Sequence, residues 1–180
     1  MKKLFLLLGL LVGFTKISAQ NLSVAQQDSA FVRENYVKYQ YQISMRDGVK
    51  LFTNVYVPKD ASANNKYPIV MQRTCYDVAP YGKDDYPQML YYSRHMMREK
   101  FIFVEQDVRG RWMSEGTWTN MTPHIANKKA KTDVDEASDT YDTIDWLVKN
   151  IPNNNGRVGQ YGISYPGFYT LRVHFAVTLP

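Results

Sequence analysis

Cysteine is nearly absent from this chain, which has a single one, Cys75, among its 180 residues. A lone cysteine excludes an internal disulfide, so the fold must be held together by the packing of its core. Apolar residues make up 44% of the chain, which is enough for such a core and excludes wholesale disorder. The length fits one domain, or part of a larger one.

Long hydrophobic runs are also missing once the first twenty residues have passed. That opening segment has two lysines, then the apolar run LFLLLGLLVGF, then small residues up to Ala19. The layout predicts a secretory signal peptide over residues 1–19, because the apolar run is too short to span a membrane. We therefore expect an exported protein, periplasmic or secreted, with no membrane attachment after signal removal. A retained N-terminal anchor is the alternative.

A strong charge of one sign is absent as well. The formal net charge is +5, but Lys2, Lys3 and Lys16 lie in the predicted signal, which leaves 19 basic against 17 acidic residues. Such a balance does not indicate binding to nucleic acid or to a membrane surface. Residues 20–35 are polar without clear periodicity, and we interpret them as a leader.

The first part of the remaining sequence predicts strands. Apolar and polar residues alternate over 39–45 and 49–57, and Asp47-Gly48 between them indicates an antiparallel hairpin with a two-residue turn. A short apolar strand that is buried on both faces is predicted at 67–72, and another at 101–106. The spacing of methionine and leucine side chains predicts a helix between these strands, over residues 85–99.

The second part continues this alternation. A helix is predicted over 133–149, with a capping-box-like start at Thr132 and Asp135. Its apolar stripe consists of Val134, Ala137, Tyr141, Ile144 and Val148. The segment RVGQYGI predicts a third strand, and a helix should follow Gly167. Strands that alternate with helices predict an α/β fold, with a parallel sheet and crossover helices entered through the hairpin.

A serine lies between the third strand and the last helix, in the segment GRVGQYGISYPGFYT. A nucleophilic serine on a sharp strand-to-helix turn needs small residues beside it, as in G-x-S-x-G. Gly162 is in place before Ser164, but Pro166 stands where the second glycine is expected and Gly167 comes one residue later. The pattern favours a nucleophile, and a structural loop serine is the alternative. The glycine spacing fits neither a dinucleotide fingerprint nor a phosphate-binding loop.

Five stretches along the chain resemble a known enzyme family. They are DGVKLFTNVYVP, QRTCY, EQDVRGRWMSEG, KTDVDEASDTYDTIDWLVKN and NGRVGQYGISYPGF. The sequence is similar, in this order, to the Xaa-Pro dipeptidyl-peptidase, cocaine-esterase-like and α-amino-acid ester hydrolase family, which uses G-x-S-Y-x-G. The resemblance implies that residues 36–180 are the N-terminal part of an α/β-hydrolase catalytic domain. It also implies a serine hydrolase that cleaves small ester or peptide substrates without a cofactor or metal.

The resemblance implies roles for three residues. Ser164 is the acyl-accepting nucleophile, the backbone N–H of Tyr165 is one oxyanion donor, and the hydroxyl of Tyr76 in RTCY is the other. Because the ordinary pKa of a phenol is near 10, such a hydroxyl donates at neutral pH without titrating. Cys75 stands where the family has proline, and we expect this exchange to loosen the turn that carries Tyr76.

The base and acid that would activate Ser164 are not evident. The α/β-hydrolase order is Ser, then Asp, then His, and the sixteen residues after Ser164 contain His174 but no acid. We expect His174 to point away from the serine, His95 to lie on a helix surface, and His124 to have the wrong chain order. The chain is therefore expected to be a fragment that lacks the triad Asp and His and is itself nearly inactive. The alternative is a non-catalytic exported binding protein, or an inert remnant of a hydrolase gene.

Two acidic features are interpreted as structural. The segment DVDEASDTYDTID lacks the spacing of a calcium loop, and its acids are expected on the solvated face of a helix, so no metal site is predicted. Asp107 and Arg109 are expected to pair with each other and to shape the loop after the second buried strand.

Overall fold

Five strands and four helices follow one another through residues 22–172, which are the residues that the computed structural model describes. The strands are β1 (Tyr36–Ser44), β2 (Lys50–Pro58), β3 (Tyr67–Thr74), β4 (Ile102–Asp107) and β5 (Asn154–Gln160). The helices are α1 (Val24–Asn35), α2 (Arg94–Glu99), α3 (Glu136–Asn150) and α4 (Tyr165–Leu171). None of these helices has the length and apolar character needed to cross a membrane.

The strands form one mixed sheet in the order β1-β2-β4-β3-β5. β1 and β2 are antiparallel, and β2 is antiparallel to β4. β3 lies between β4 and β5 and runs parallel to both. The predicted parallel sheet entered through a hairpin is therefore confirmed. Because β3, β4 and β5 run in the same direction, the loops that follow them meet at one edge of the sheet.

The hairpin turn has three residues, not the two that Asp47-Gly48 predicted. Met45 and Val49 are joined by a hydrogen bond of 2.8 Å from N–H to carbonyl oxygen, and Ser44 lies opposite Lys50. Arg46 therefore joins the turn, and Gly48 supplies the left-handed conformation at φ 90° that such a turn requires.

Apolar side chains cover both faces of the sheet. On one face, Met45, Ile69, Val104 and Leu147 belong to a core between the strands and α3. On the other face, Tyr36, Tyr56 and Phe103 of the strands pack with Val32 of α1 and Met97 of α2. β4 is buried along nearly its whole length, as predicted, whereas alternate positions of β3 are partly exposed.

The predicted helix over 85–99 is wrong in its first nine residues, and only α2 is helical. The buried ammonium group of Lys38 explains the difference. It donates hydrogen bonds to the carbonyl oxygens of Pro80, Gly82 and Asp85, and the N–H of Lys38 donates to the Tyr86 hydroxyl. The chain before α2 thus supplies backbone hydrogen-bond acceptors to the buried Lys38 ammonium group, which a helix could not do. Pro87 also disfavours a helix there.

Two other helix boundaries differ from the sequence prediction. α1 lies within residues 20–35, for which the sequence predicts a polar leader without regular structure, and it starts with a capping box between Ser23 and Gln26. α3 starts at Glu136 because Asp135 is its N-cap: the Asp135 side chain accepts from the Ser138 N–H at 2.9 Å, and the Ser138 hydroxyl accepts from the Asp135 N–H at 2.8 Å. The predicted box at Thr132 is three residues too early.

Candidate active site

Ser164 lies on the turn between β5 and α4, at the edge where the loops after β3 and β4 also meet. It is the N-cap of α4, which begins at Tyr165 and not after Gly167 as expected. Its backbone has φ 60° and ψ −123°, a region that residues with a side chain rarely adopt. The serine is exposed and its hydroxyl makes no capping hydrogen bond. This strained backbone presents the side chain to solvent beyond the sheet.

Gly162 is required by the backbone of this turn. A Cβ atom at this position would lie 2.2 Å from the carbonyl carbon and oxygen of Pro166, which is too close for any side chain. Gly167 faces the same contact from the other side, since its Cβ would lie 3.2 Å from the Gly162 carbonyl oxygen. Both glycines are thus needed because the chain just after β5 and the start of α4 lie in direct backbone contact.

Tyr76 lies on the turn after β3, on the same edge. Its side chain is 58% exposed, and its ring meets the Tyr165 ring at a centroid distance of 6.5 Å in an edge-to-face arrangement. The structure therefore brings together Tyr76 and the residue after Ser164, which the sequence separates by almost ninety positions.

The turn that carries Tyr76 is held by hydrogen bonds, whereas Cys75 in place of proline was expected to loosen it. The carbonyl oxygen of Cys75 accepts hydrogen bonds of 3.0 Å from Nε of Arg111 and from Nε1 of Trp112. The N–H of Tyr76 donates to the Thr74 hydroxyl at 3.0 Å. The Cys75 side chain is buried in a small core with Val108 and Tyr169. Packing and hydrogen bonds supply here the restraint that proline would give.

The Tyr165 side chain is fixed by the long loop between β4 and α3. Its hydroxyl donates to Oδ1 of Asn120 and accepts from the N–H of Met121, each at 2.7 Å. Its ring packs against the rings of Trp118 and Phe168. Sequence reasoning missed Asn120, Arg111 and Trp112, because only the folded loop places them against the two turns.

Asp107 and Arg109 do not pair with each other, so that expectation is wrong. Arg109 binds Asp47 and Asp139, at 2.8 and 2.7 Å. Asp107 accepts from the Tyr81 hydroxyl at 3.0 Å and from the Met113 N–H at 3.3 Å. Burial raises the pKa of Asp107 to about 6 despite these bonds. Arg109 does not pair with Asp107 because its guanidinium binds the carboxylates of Asp47 and Asp139 instead.

The acids at the start of α3 are buried, whereas they were expected on its solvated face. Glu136 and Asp139 face the fully buried Arg73, whose Nη1 lies 3.0 Å from the Glu136 carboxylate. Arg73 also donates to the Thr140 hydroxyl at 2.8 Å and to the Gln106 side chain at 2.8 Å. These acids therefore neutralise a buried cation. Through residues 22–172, no group of three or more metal-ligating side chains is present.

The histidines in the described part of the chain occupy two different environments. His95 is exposed on α2, which leads into the start of β4 and thus toward the edge opposite Ser164. Nδ1 of His124 lies 3.0 Å from Oδ2 of Asp135. The same carboxylate oxygen accepts from Lys128 at 2.7 Å and from the Ile125 N–H at 2.9 Å. Against burial, which acts in the opposite direction, these bonds lower the pKa of Asp135 to about 2. His174 lies outside the described residues.

The structure thus has an exposed serine on a strained turn, followed by Tyr165, whose ring contacts the ring of Tyr76. The model of the X-Pro dipeptidyl-peptidase (S15) family matches residues 47–176. The chain belongs to this family. The match covers β2, all three parallel strands and the Ser164 turn, so the whole site lies within the S15 region.

Solved structures agree with the S15 assignment. The chain is 39% identical to an aminopeptidase from a marine sediment Thaumarchaeota archaeon, with a TM-score of 0.63 over 77% of this chain and 23% of that one. It is 35% identical to an α-amino acid ester hydrolase, with a TM-score of 0.61 over 88% of this chain and 25% of that one. The sheet is therefore of the α/β-hydrolase type.

A curated protein is also similar to this chain in sequence. A Mycobacterium bovis protein named as a serine esterase is 26% identical over 161 residues, which cover 81% of this chain and 23% of that protein. The chain thus spans about a quarter of the length of each of these three relatives.

Proposed function

We propose that Ser164 is the nucleophile of a serine hydrolase that cleaves small esters or peptides, of the dipeptidyl-peptidase or α-amino-acid ester hydrolase class. The observation that carries the proposal is the backbone of Ser164, at φ 60° on an exposed turn between a parallel strand and a helix. Strain of this kind costs on the order of 1–3 kcal/mol and persists at functional sites, where the surrounding structure holds it.

In the proposed reaction, Oγ of Ser164 attacks the substrate carbonyl carbon and its proton passes to a base. The carbonyl oxygen becomes an oxyanion, which accepts hydrogen bonds from the Tyr165 N–H and the Tyr76 hydroxyl. The bond to the leaving group then breaks, and the leaving group departs with a proton. Water hydrolyses the acyl-enzyme and restores Ser164. The proposal is supported by the contact between the Tyr76 and Tyr165 rings, since the residues that carry the two donors are then neighbours.

We further propose that the base and its orienting acid are not among residues 22–172, and that the 180-residue chain alone turns over slowly. His95 lies toward the edge of the sheet opposite Ser164, and the Asp135 carboxylate that contacts His124 is shared with Lys128. Loss of the base in a serine hydrolase costs roughly 10⁶-fold in turnover.

Chemical rescue tests both proposals. Imidazole in the buffer acts as an external base, so the chain should hydrolyse a p-nitrophenyl ester at a rate that rises with imidazole concentration. Ser164→Ala should abolish this enzyme-dependent increase, whereas Ser62→Ala, at an exposed serine of a distant turn, should keep it.

The outcomes separate the two proposals. Equal imidazole-dependent rates for the wild type and Ser164→Ala would overturn the nucleophile, and would favour a non-catalytic binding protein or an inert remnant. Rapid turnover without imidazole that is lost in His124→Ala would identify an internal base and overturn the second proposal alone.

We also propose that the protein is exported, on the signal-like sequence of residues 1–19, which lies outside the described residues. Detection of a mature N-terminus after Ala19 in the exported fraction would test this. A full-length form retained in the cytoplasm would contradict it.

A further inference from the structure

Two turns that carry the proposed oxyanion donors are held by one loop. Arg111 and Trp112 donate to the carbonyl oxygen of Cys75, directly before Tyr76. Asn120 and Met121 hold the hydroxyl of Tyr165. The four contacts have lengths between 2.7 and 3.0 Å, and all come from residues 111–121.

The loop is itself fixed to the sheet. The Ser114 hydroxyl donates to the Asp107 carbonyl oxygen at 2.6 Å, and the Glu115 N–H donates to the Lys50 carbonyl oxygen at 2.9 Å. Gly110 crosses the backbone of Trp118 so closely that a Cβ at Gly110 would lie 2.0 Å from the Trp118 nitrogen. The loop therefore has a defined path.

The two ends of the loop are joined by aromatic packing. The Arg111 guanidinium lies 5.6 Å from the Trp112 ring centroid and 5.2 Å from the Trp118 ring centroid, within the range of cation–π attraction. The Trp118 ring in turn lies 6.4 Å from the Tyr165 ring. The residues that hold Tyr76 and those that hold Tyr165 thus belong to one packed unit.

We propose that residues 111–121 are an oxyanion clamp, which positions the Tyr76 hydroxyl and the Tyr165 N–H relative to Ser164. This inference rests on the proposed function. Tyr76 is 58% exposed and sits on a turn without proline, so local packing alone does not fix it. Asn120, Arg111 and Trp112 act through the two tyrosines and are positioning residues. Misplacing a catalytic group by about 1 Å can cost roughly 10²-fold in rate.

The test uses the ¹⁵N-labelled 180-residue chain and two matched pairs of variants. Asn120→Ala removes the acceptor for Tyr165, and Asn64→Ala changes an exposed asparagine of a distant turn. Trp112→Phe removes the donor to Cys75 but keeps an aromatic ring, and Trp146→Phe makes the same change on α3. Asn120→Asp keeps an acceptor oxygen and serves as the rescue variant.

Two readouts are measured on each variant. Backbone order parameters of the Tyr165 and Tyr76 amides should fall from about 0.85 toward 0.6 in Asn120→Ala and Trp112→Phe respectively, and should not fall in the controls or in Asn120→Asp. The kcat of imidazole-assisted ester hydrolysis should fall roughly tenfold or more in the same two variants, with KM changed less than twofold.

The results distinguish the clamp from the proposed function. If order parameters and kcat are unchanged in both variants, the clamp is overturned while Ser164 can still be the nucleophile. Greater mobility with unchanged kcat overturns the positioning role. If Ser164-dependent hydrolysis is absent from the wild type, the proposed function fails, and unchanged order parameters would then overturn the clamp as well.

Discussion

Gly162 and the carbonyl group of Pro166 touch across the turn that carries Ser164, and a Cβ on Gly162 would lie 2.2 Å from that carbonyl. Gly162→Ala should therefore push the strand end away from α4. We expect a loss of about 1–3 kcal/mol in the free energy of unfolding, measured by urea titration, and a loss of Ser164-dependent hydrolysis. Gly159→Ala is the control, since a Cβ there meets nothing within 4 Å. Equal stability of the two variants would contradict this reading of the turn.

The Tyr76 hydroxyl is expected to act on the transition state. Tyr76→Phe removes one oxyanion donor and keeps the ring that packs against Tyr165. The imidazole-assisted kcat should fall by the equivalent of about 3 kcal/mol, with the fold intact by circular dichroism. Tyr39→Phe, at an exposed tyrosine of β1, should leave the rate unchanged. An unchanged rate in Tyr76→Phe would remove this hydroxyl from the mechanism.

Arg73 is expected to be essential for stability. Its guanidinium is fully buried and balances the buried Glu136 and Asp139, so Arg73→Met leaves Glu136 without its ion-pair partner, whereas Asp139 keeps Arg109. Urea denaturation at neutral pH should show a loss of about 3–5 kcal/mol. Arg157→Met, at an exposed arginine of β5, should change stability by less than about 0.5 kcal/mol. A small effect at Arg73 would mean that this network is not needed.

Glu105 should make stability fall as pH rises. It lies in the sheet between Asn54 and Gln72, and burial raises its pKa to about 8 from an ordinary 4.5, although Lys38 acts to lower it. Between these two values the unfolded chain releases a proton that the folded chain retains, so the free energy of unfolding decreases with pH. Glu105→Gln lacks this component. Relative to wild type, the variant should gain stability from pH 5 to pH 8, by on the order of 1 kcal/mol or more.

Urea titrations at pH 5, 6, 7 and 8 measure this gain. Asp107, whose pKa burial raises to about 6, titrates in both proteins and also acts to raise the pKa of Glu105, so the difference between them reports Glu105 together with its interaction with Asp107. A constant difference across the range would show that Glu105 has an ordinary pKa in the folded chain.

The succession of strands along the chain and the place of the Ser164 turn were predictable because they depend on local patterns. Apolar strands β3 and β4, the hairpin glycine and Gly162 each leave a signal within a few residues. The catalytic roles of Ser164, Tyr76 and Tyr165 come from the family resemblance and stay predictions until the rescue experiment is done.

The buried face of α3 was misplaced for a physical reason. The sequence predicted a stripe through Tyr141 and Val148, but both are exposed, and the buried face includes Thr140 and Thr143. Their hydroxyls accept hydrogen bonds from Arg73 of β3 and Gln106 of β4, against which α3 packs. A hydrophobic pattern cannot locate a face whose buried side chains are polar and whose partners are distant in sequence. The contacts of Asn120 and Arg111 escaped prediction for the same reason.

Cys75 provides a built-in probe of the turn beneath Tyr76. It is the chain's one thiol, only 5% of it is exposed, and it packs between Val108 and Tyr169. A thiol reagent can reach it only when β3, the loop after β4 and α4 separate at this point. The rate of its modification, compared with that of the unfolded chain, therefore reports how often this edge of the sheet opens. A ligand that closes over Ser164 would slow the modification without touching the sulfur.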